Sequence, residues 1–139
     1  MSEPFSMNVR IYFEDTDTGG VVYHANYVRF FERARTEYLR KIGLEQRGMI
    51  ASGQFVFVVS GMTLRFKRPA VLDDLLIIKT RIKKLGRASV IFEQSAWRSG
   101  ELLCEAEVRV GSVSMQGRPT PLPDHWYEAI HTEFEKQGN

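Results

Sequence analysis

The sequence predicts an α+β fold in which an antiparallel sheet of about five strands packs on one long helix. Three observations carry this. Between residues 26 and 42, apolar side chains recur at helical spacing, so one face of a long helix must be buried. From residue 55 to 116, long apolar or alternating stretches follow one another with hairpin-length links, the pattern of antiparallel neighbours. No repeat, low-complexity segment or linker divides the chain, so the sheet is the partner left for the helix. Residues 1–139 are expected to form a single domain.

Each element has its own reason. Residues 7–13 read as a strand because Val9, Ile11 and Phe13 alternate with Asn8, Arg10 and Tyr12. A polar loop follows to His24. In the helix, Tyr27, Phe30, Phe31, Ala34, Tyr38 and Ile42 share one face, and Arg29, Glu32, Arg33, Glu37, Arg40 and Lys41 the other. Asn26 suits an N-cap and Gly43 the residue after the last turn. Residues 44–54 are a mixed connector with room for a short helical turn. Residues 55–66 read as a long strand, with Gly61 marking a bulge or a close backbone approach. Asp73-Asp74 is a turn. Residues 75–85 form the next strand, with Leu76, Ile78, Thr80 and Ile82 on one face and Lys79, Arg81 and Lys83 on the other. Gly86-Arg87 is a tight link to a strand over residues 89–98, and Ser99-Gly100-Glu101 a hairpin turn. The last strand spans 102–116, with Leu102, Cys104, Ala106, Val108 and Val110 facing in. Pro119, Pro121 and Pro123 keep the chain extended before a short helix over 126–134.

The bulk properties exclude several classes. A formal net charge of +2 does not point to a nucleic-acid partner. The single cysteine, Cys104, excludes an internal disulfide and fits a reducing compartment. Residues 1–10 lack an apolar signal-peptide core, and no apolar run approaches the ~20 residues of a membrane span. A cytoplasmic domain is expected. His24, His125 and His131 have no metal-ligand spacing with one another or with Cys104, so neither metal nor cofactor is expected.

The chemistry gathers between Tyr12 and Tyr27. Glu14, Asp15 and Asp17 lie in a glycine-containing loop just ahead of the long helix. The start of a helix offers unpaired N–H groups and a partial positive charge, and these can hold a developing oxyanion. A nearby carboxylate can attack a carbonyl or activate water. Gly19 and Gly20 allow positive φ or close approach of a ligand.

The run Glu14-Asp15-Thr16-Asp17-x-Gly19-Gly20-Val21-Val22-Tyr23-His24-x-x-Tyr27, continuing into Phe31-Glu32-Arg33-Ala34-Arg35-Thr36-Glu37, resembles the hotdog-fold acyl-CoA thioesterases. Within them it is most similar to the Tol–Pal-associated, YbgC-type branch, related to the 4-hydroxybenzoyl-CoA thioesterases. The resemblance runs from Val9 to about Ser114. It implies a sheet wrapped around the long helix, dimers joined edge to edge that often pair into tetramers, and an acyl thioester bound at the dimer interface. It implies that Asp17 is the catalytic carboxylate, that the thioester carbonyl sits at the helix N-terminus around Tyr23 and His24, and that basic side chains meet the coenzyme A phosphates at the rim.

With that resemblance, Asp17 is read as nucleophile or general base, Asp15 as a turn or capping residue, and Glu14 as solvated. His24 is expected to orient the carboxylate, the water or the thioester, with its N–H as an oxyanion donor. Tyr23 and Tyr27 are read as partly core, one of them lining a pocket. Arg65, Lys67, Arg68, Lys79, Arg81, Lys83 and Lys84 are read as solvated strand faces. Arg87, in a short link beside Ser89, is assigned to the coenzyme A phosphates because paired planar donors suit phosphate. Cys104 is read as a small hydrophobe. The partners are acyl-CoA, an acyl carrier protein and further copies of the chain. The alternatives are a dehydratase or hydratase on the same fold, against which the Asp-x-Asp-x-Gly-Gly loop argues, and an acyl-carrier or envelope-complex interaction module.

Overall fold

In the computed structural model, which describes residues 3–137, the long helix α1 (His24–Lys41) lies with one stripe against a curved sheet. Tyr27, Phe30, Phe31, Ala34, Tyr38 and Leu39 are buried along it, as helical spacing requires. Burying side chains such as Phe30 and Phe31 contributes roughly 1.5–3 kcal/mol each. The helix begins two residues earlier than the sequence predicts. Tyr23, not Asn26, is the N-cap, because the Tyr23 N–H is held by the Asp15 carbonyl at 3.3 Å and the Asn26 amide is taken by the Asp15 carboxylate. Gly43 follows the helix at φ 91°, the left-handed conformation glycine adopts without penalty.

The sheet has five antiparallel strands in the order β1-β3-β4-β5-β2. They are β1 (Phe5–Arg10), β2 (Val56–Phe66), β3 (Leu75–Leu85), β4 (Ser89–Arg98) and β5 (Glu101–Val113). The short helix α2 (Gln46–Ser52) joins α1 to β2, and α3 (Asp124–Lys136) closes the far end. Because β2 and β3 are not neighbours, the link between them, residues 67–74, must cross from one side of the sheet to the other. Strands β3, β4 and β5 turn Leu76, Ile78, Ile82, Val90, Phe92, Ala96, Ala106 and Val108 to the helix. The hairpin at Ser99-Gly100 takes φ of 48° and 81°, as a tight two-residue turn demands. The pairing of β2 with β5 shifts between Val59 and Gly61, where the sequence signals a bulge.

Three boundaries differ from expectation. Strand β1 ends at Arg10 because its partner β3 starts at Leu75. Ile11 is buried, but Phe13 is 80% exposed at the start of a single 3-10 turn, Phe13–Asp15. The Asp15 carboxylate captures the Tyr12 N–H at 2.8 Å, so a local turn wins over continued alternation. In β5, Ala96 faces Cys104 while Trp97 faces Leu102, which leaves Leu103 as the extra residue of a bulge. Leu103 is therefore buried, and Leu102, expected inside, lies beside Trp97 on the outer face of the sheet. Strand β5 also stops at Val113, before a turn closed by a Ser114 carbonyl and the Gly117 N–H.

Polar side chains are bonded to one another inside the core at two places. Arg35 is buried and donates to Gln94 Oε1 at 3.0 Å, while the Gln94 amide donates to the Phe31 carbonyl and Thr80 Oγ1, each at 2.9 Å. Burial pulls the Arg35 pKa down and Glu32 opposes that. At the other end, Gln137 accepts from Tyr38 Oη at 2.6 Å and donates to the Ile82 carbonyl at 2.8 Å, so the end of α3 is tied to α1 and β3 together.

Candidate active site

The acidic loop is built by its own backbone. Asp17 N–H donates to the Val21 carbonyl at 2.8 Å, and Gly20 N–H to the Asp17 carbonyl at 3.0 Å. Thr16 bridges to Val22 across this tight turn. Gly20 takes φ 83°, which is why glycine is needed there. At Gly19 a Cβ would meet Asp17 Oδ1 at 3.3 Å, so the absence of a side chain lets the backbone close on the carboxylate. As a result Asp17 Oδ1 accepts from the Gly19 N–H at 2.8 Å and the Val21 N–H at 3.3 Å. No donor among the described residues reaches Asp17 Oδ2, which leaves one oxygen of a firmly oriented carboxylate available for chemistry.

Asp15 has a different task. Its Oδ2 accepts the Tyr12 N–H, and its Oδ1 accepts the Asn26 side-chain amide at 2.9 Å. This agrees with a turn role and adds a tie from the loop to the first turn of α1. Glu14 is exposed.

The helix start lies directly after the loop. The first N–H groups of α1, on His24 and Ala25, have no intrahelical acceptor, and Tyr23 supplies no side-chain cap. Tyr23 is half exposed and lines a concavity of about 370 Å³ with Asp17, Phe13, Thr16 and Leu72. Of the two tyrosines, Tyr23 is therefore the pocket residue and Tyr27 the core residue. Tyr27 is 2% exposed, and its hydroxyl accepts the Ala70 N–H at 3.2 Å. Burial pushes the Tyr27 pKa up, against that hydrogen bond. The His24 ring stacks on Phe66 with centroids 3.9 Å apart and does not bond to Asp17. Of the partners expected for His24, the carboxylate is thus not in contact with its ring among the described residues.

Beneath the loop runs the β2–β3 link. Val22 N–H donates to the Ala70 carbonyl at 2.9 Å, and Val21 bridges to Val71. The sequence singled out neither this link nor the Phe66 shelf; Asp73-Asp74 was legible only as a turn.

Arg87 is not part of this cluster within one chain. Asp74 contacts Ile11 beside the loop, whereas Arg87 follows the far end of β3. That strand has 11 residues, so the separation along it is roughly 35 Å. Arg87 is exposed, with its guanidinium over the Tyr127 ring at 5.2 Å. Arg65, Lys79 and Arg81 line a mixed-charge concavity on the outer face of the sheet with Glu93, Glu105 and Glu107. Cys104 is buried, and burial pushes its thiol up to about 12, so it stays a neutral thiol. No group of three or more His, Cys, Asp and Glu side chains is arranged for a metal among the described residues.

Residues 19–105 match the family model described as Thioesterase superfamily. The chain is 42% identical over 128 residues to "Acyl-CoA thioesterase YbgC" of Haemophilus influenzae, covering 91% of this chain and 94% of that one. It is 44% identical over 134 residues to "Acyl-CoA thioester hydrolase YbgC" of Escherichia coli O157:H7, covering 95% and 96%. Among solved structures, a probable thioesterase from Bartonella henselae superposes with a TM-score of 0.81 at 41% identity, over 86% of this chain and 99% of that one. An aspartate-to-asparagine variant of 4-hydroxybenzoyl-CoA thioesterase, complexed with 4-hydroxybenzoyl-CoA, superposes with a TM-score of 0.85 at 27% identity, over 93% and 99%.

Proposed function

Because the chain belongs to the thioesterase superfamily, and within it to the group of YbgC acyl-CoA thioesterases, we propose that it hydrolyses acyl-CoA thioesters with Asp17 as the reacting carboxylate. The observation that carries the assignment is the Asp17 carboxylate itself. One oxygen is pinned by two backbone N–H groups and the other is free, directly ahead of an uncapped helix start.

The thioester carbonyl oxygen accepts from the N–H groups at the start of α1, around His24, where negative charge develops as the carbonyl carbon becomes tetrahedral. Asp17 Oδ2 either attacks that carbon or takes a proton from a water that attacks it. In the first case an acyl–aspartyl anhydride forms, coenzyme A leaves as thiolate, and water then cleaves the anhydride. In the second, the acid and the thiolate form directly. Tyr23 lines the acyl side of the concavity. Neither route needs a metal or a cofactor.

Residues 1–139 act as one hotdog unit in this reading, and that unit works as an oligomer. Strand β2 is an open edge that exposes Val58, Val59 and Phe66, an arrangement that favours pairing with a second copy. Two β2 strands joined antiparallel bring the Val56 end of one beside the Phe66 end of the other. The Arg87 link lies on the Val56 side, since Gly111 pairs with both Ser89 and Val58. The partner's Arg87 link would then approach the Asp17 loop, where its guanidinium can meet the coenzyme A phosphates. A tetramer of two such dimers, a cytoplasmic place of action, an acyl carrier protein partner and a connection to the Tol–Pal system belong to the same reading, supported by the resemblance of the loop to the YbgC-type branch.

The test is thiol release from a panel of acyl-CoA substrates by the wild type and Asp17→Asn. The wild type turns over, and kcat of the variant falls by about 10²-fold or more, the usual loss of a general base. Near-normal kcat in Asp17→Asn removes Asp17 from the chemistry. Sedimentation that finds only monomer at full activity overturns the oligomeric site.

A further inference from the structure

We propose that Arg98 is a positioning residue for the hydrolytic reaction, holding the floor on which the Asp17 loop rests. This rests on the reading of Asp17 as the reacting carboxylate.

The floor is residues 69–74 of the β2–β3 link. Its Ala70 carbonyl accepts the Val22 N–H at 2.9 Å, its Val71 bridges to Val21, and its Leu72 lines the concavity with Asp17. Val21 is also the residue whose N–H and carbonyl both bond to Asp17. Whatever fixes residues 69–72 therefore fixes the carboxylate at one remove.

Beside the Tyr27 hydroxyl, which accepts the Ala70 N–H, one guanidinium bonds to this segment at more than one place. Arg98, at the end of β4, donates from Nη1 to the Pro69 carbonyl at 3.2 Å and to Asp74 Oδ2 at 2.7 Å. These are the two ends of the floor. Asp74 Oδ2 also accepts the Val71 N–H at 2.9 Å, so the carboxylate joins Arg98 to the middle of the link. From Nη2, Arg98 donates to Glu101 Oε1 at 2.8 Å, and Glu101 Oε2 pairs with Arg68 Nε at 2.7 Å, just before the floor begins. Arg98 and Asp74 are 28% and 18% exposed in their side chains, less than every other residue in the ion pairs of the described residues. A planar fork with several donors can span these acceptors together; a lysine ammonium, a single point, cannot. Across the turn, Asp73 is held at φ 73°, an unfavourable conformation for a residue with a side chain, by its N–H to the Ile11 carbonyl and by Arg10 Nη1 on its own carbonyl. The link is thus clamped between β4 on one side and the strand leading into the acidic loop on the other.

The experiment compares Arg98→Ala, Arg98→Lys and Asp74→Asn with the wild type. Three quantities are read on each: kcat and KM for an acyl-CoA, thermal midpoint, and hydrogen exchange at the Val22 amide against a core amide such as Phe92. Displacing a reacting group by about an ångström can cost up to ~10²-fold in rate, so a drop of about tenfold or more in kcat is expected with KM changed little. Val22 should exchange faster while Phe92 does not, and Arg98→Lys should recover only part of kcat. Unchanged kcat overturns the proposal. So does a loss of activity that follows the folded fraction, with Val22 and Phe92 losing protection together. If Arg98→Ala does not fold, Asp74→Asn and Arg98→Lys carry the same readouts. Should Asp17→Asn prove fully active, the assignment of Asp17 fails on its own. The Val22 exchange then still reports whether Arg98 holds the floor.

Discussion

The two ends of α1 are held by different physics. At its start the neighbouring chain is fixed by directional bonds. Asp15 takes the Asn26 amide, Asp17 takes the Gly19 and Val21 N–H groups, and Val22 bonds to Ala70. Tyr27 packs into the core there, but the side chains that line the concavity stay open to solvent, with Tyr23 50% and Phe13 80% exposed. At its other end, packing does the work. Phe5 stacks on Tyr38 at 5.3 Å, and the Tyr38 hydroxyl is buried against Gln137. Burial pushes the Tyr38 pKa upward, so it stays a neutral donor. Hydrogen bonds give a direction but little net stability, while burial gives stability but little direction. A site that must aim a carboxylate and admit a ligand uses the first; a helix end that only needs anchoring uses the second.

This contrast predicts that changes at the start of α1 alter rate with little effect on stability, and that changes at its end do the reverse. Asp17→Asn carries the largest effect, a fall in kcat of about 10²-fold or more, with thermal midpoint little moved. Asp15→Asn, which keeps the shape of the turn, should lose less. A marked drop in the thermal midpoint of Asp17→Asn would blur the division, because the carboxylate would then be holding the fold as well as the chemistry. Tyr38→Phe is the mirror experiment. Removing the hydroxyl deprives Gln137 Oε1 of one donor and leaves it the Ile82 N–H at 3.1 Å, so denaturant unfolding should show a loss of about 1 kcal/mol. kcat per folded enzyme should stay at the wild-type value; a change in kcat larger than the change in folded fraction counts against separate ends. Arg87→Ala carries the smallest effect. A contact between exposed charges contributes up to about 1 kcal/mol, so KM for an acyl-CoA should rise by a few-fold, with no rise for a truncated thioester lacking the nucleotide. Equal effects on both thioesters take Arg87 out of phosphate binding.

The sequence by itself determined what depends on neighbours a few residues away. Helical spacing named Tyr27, Phe30, Phe31, Ala34 and Tyr38 as the buried face, and alternation named Leu76, Ile78, Thr80 and Ile82. Gly61 marked the bulge in β2, and Ser99-Gly100 marked the hairpin. The acidic loop was legible for the same reason, since its glycines, Asp17 and the helix start lie within a few residues of one another. Tertiary structure alone decided what depends on distant partners. Strand β1 ends where β3 begins, and Leu102 rather than Leu103 faces out because of how β5 pairs with β4. The charge of Arg35 is buried because Gln94, 59 residues away, receives it. Arg98 reaches Asp74 across 24 residues and Pro69 across 29, and nothing near any of the three in the chain signals the meeting. Local patterns encode which face of an element is apolar; they carry no record of which elements meet, because that is settled by the register and curvature of the whole sheet.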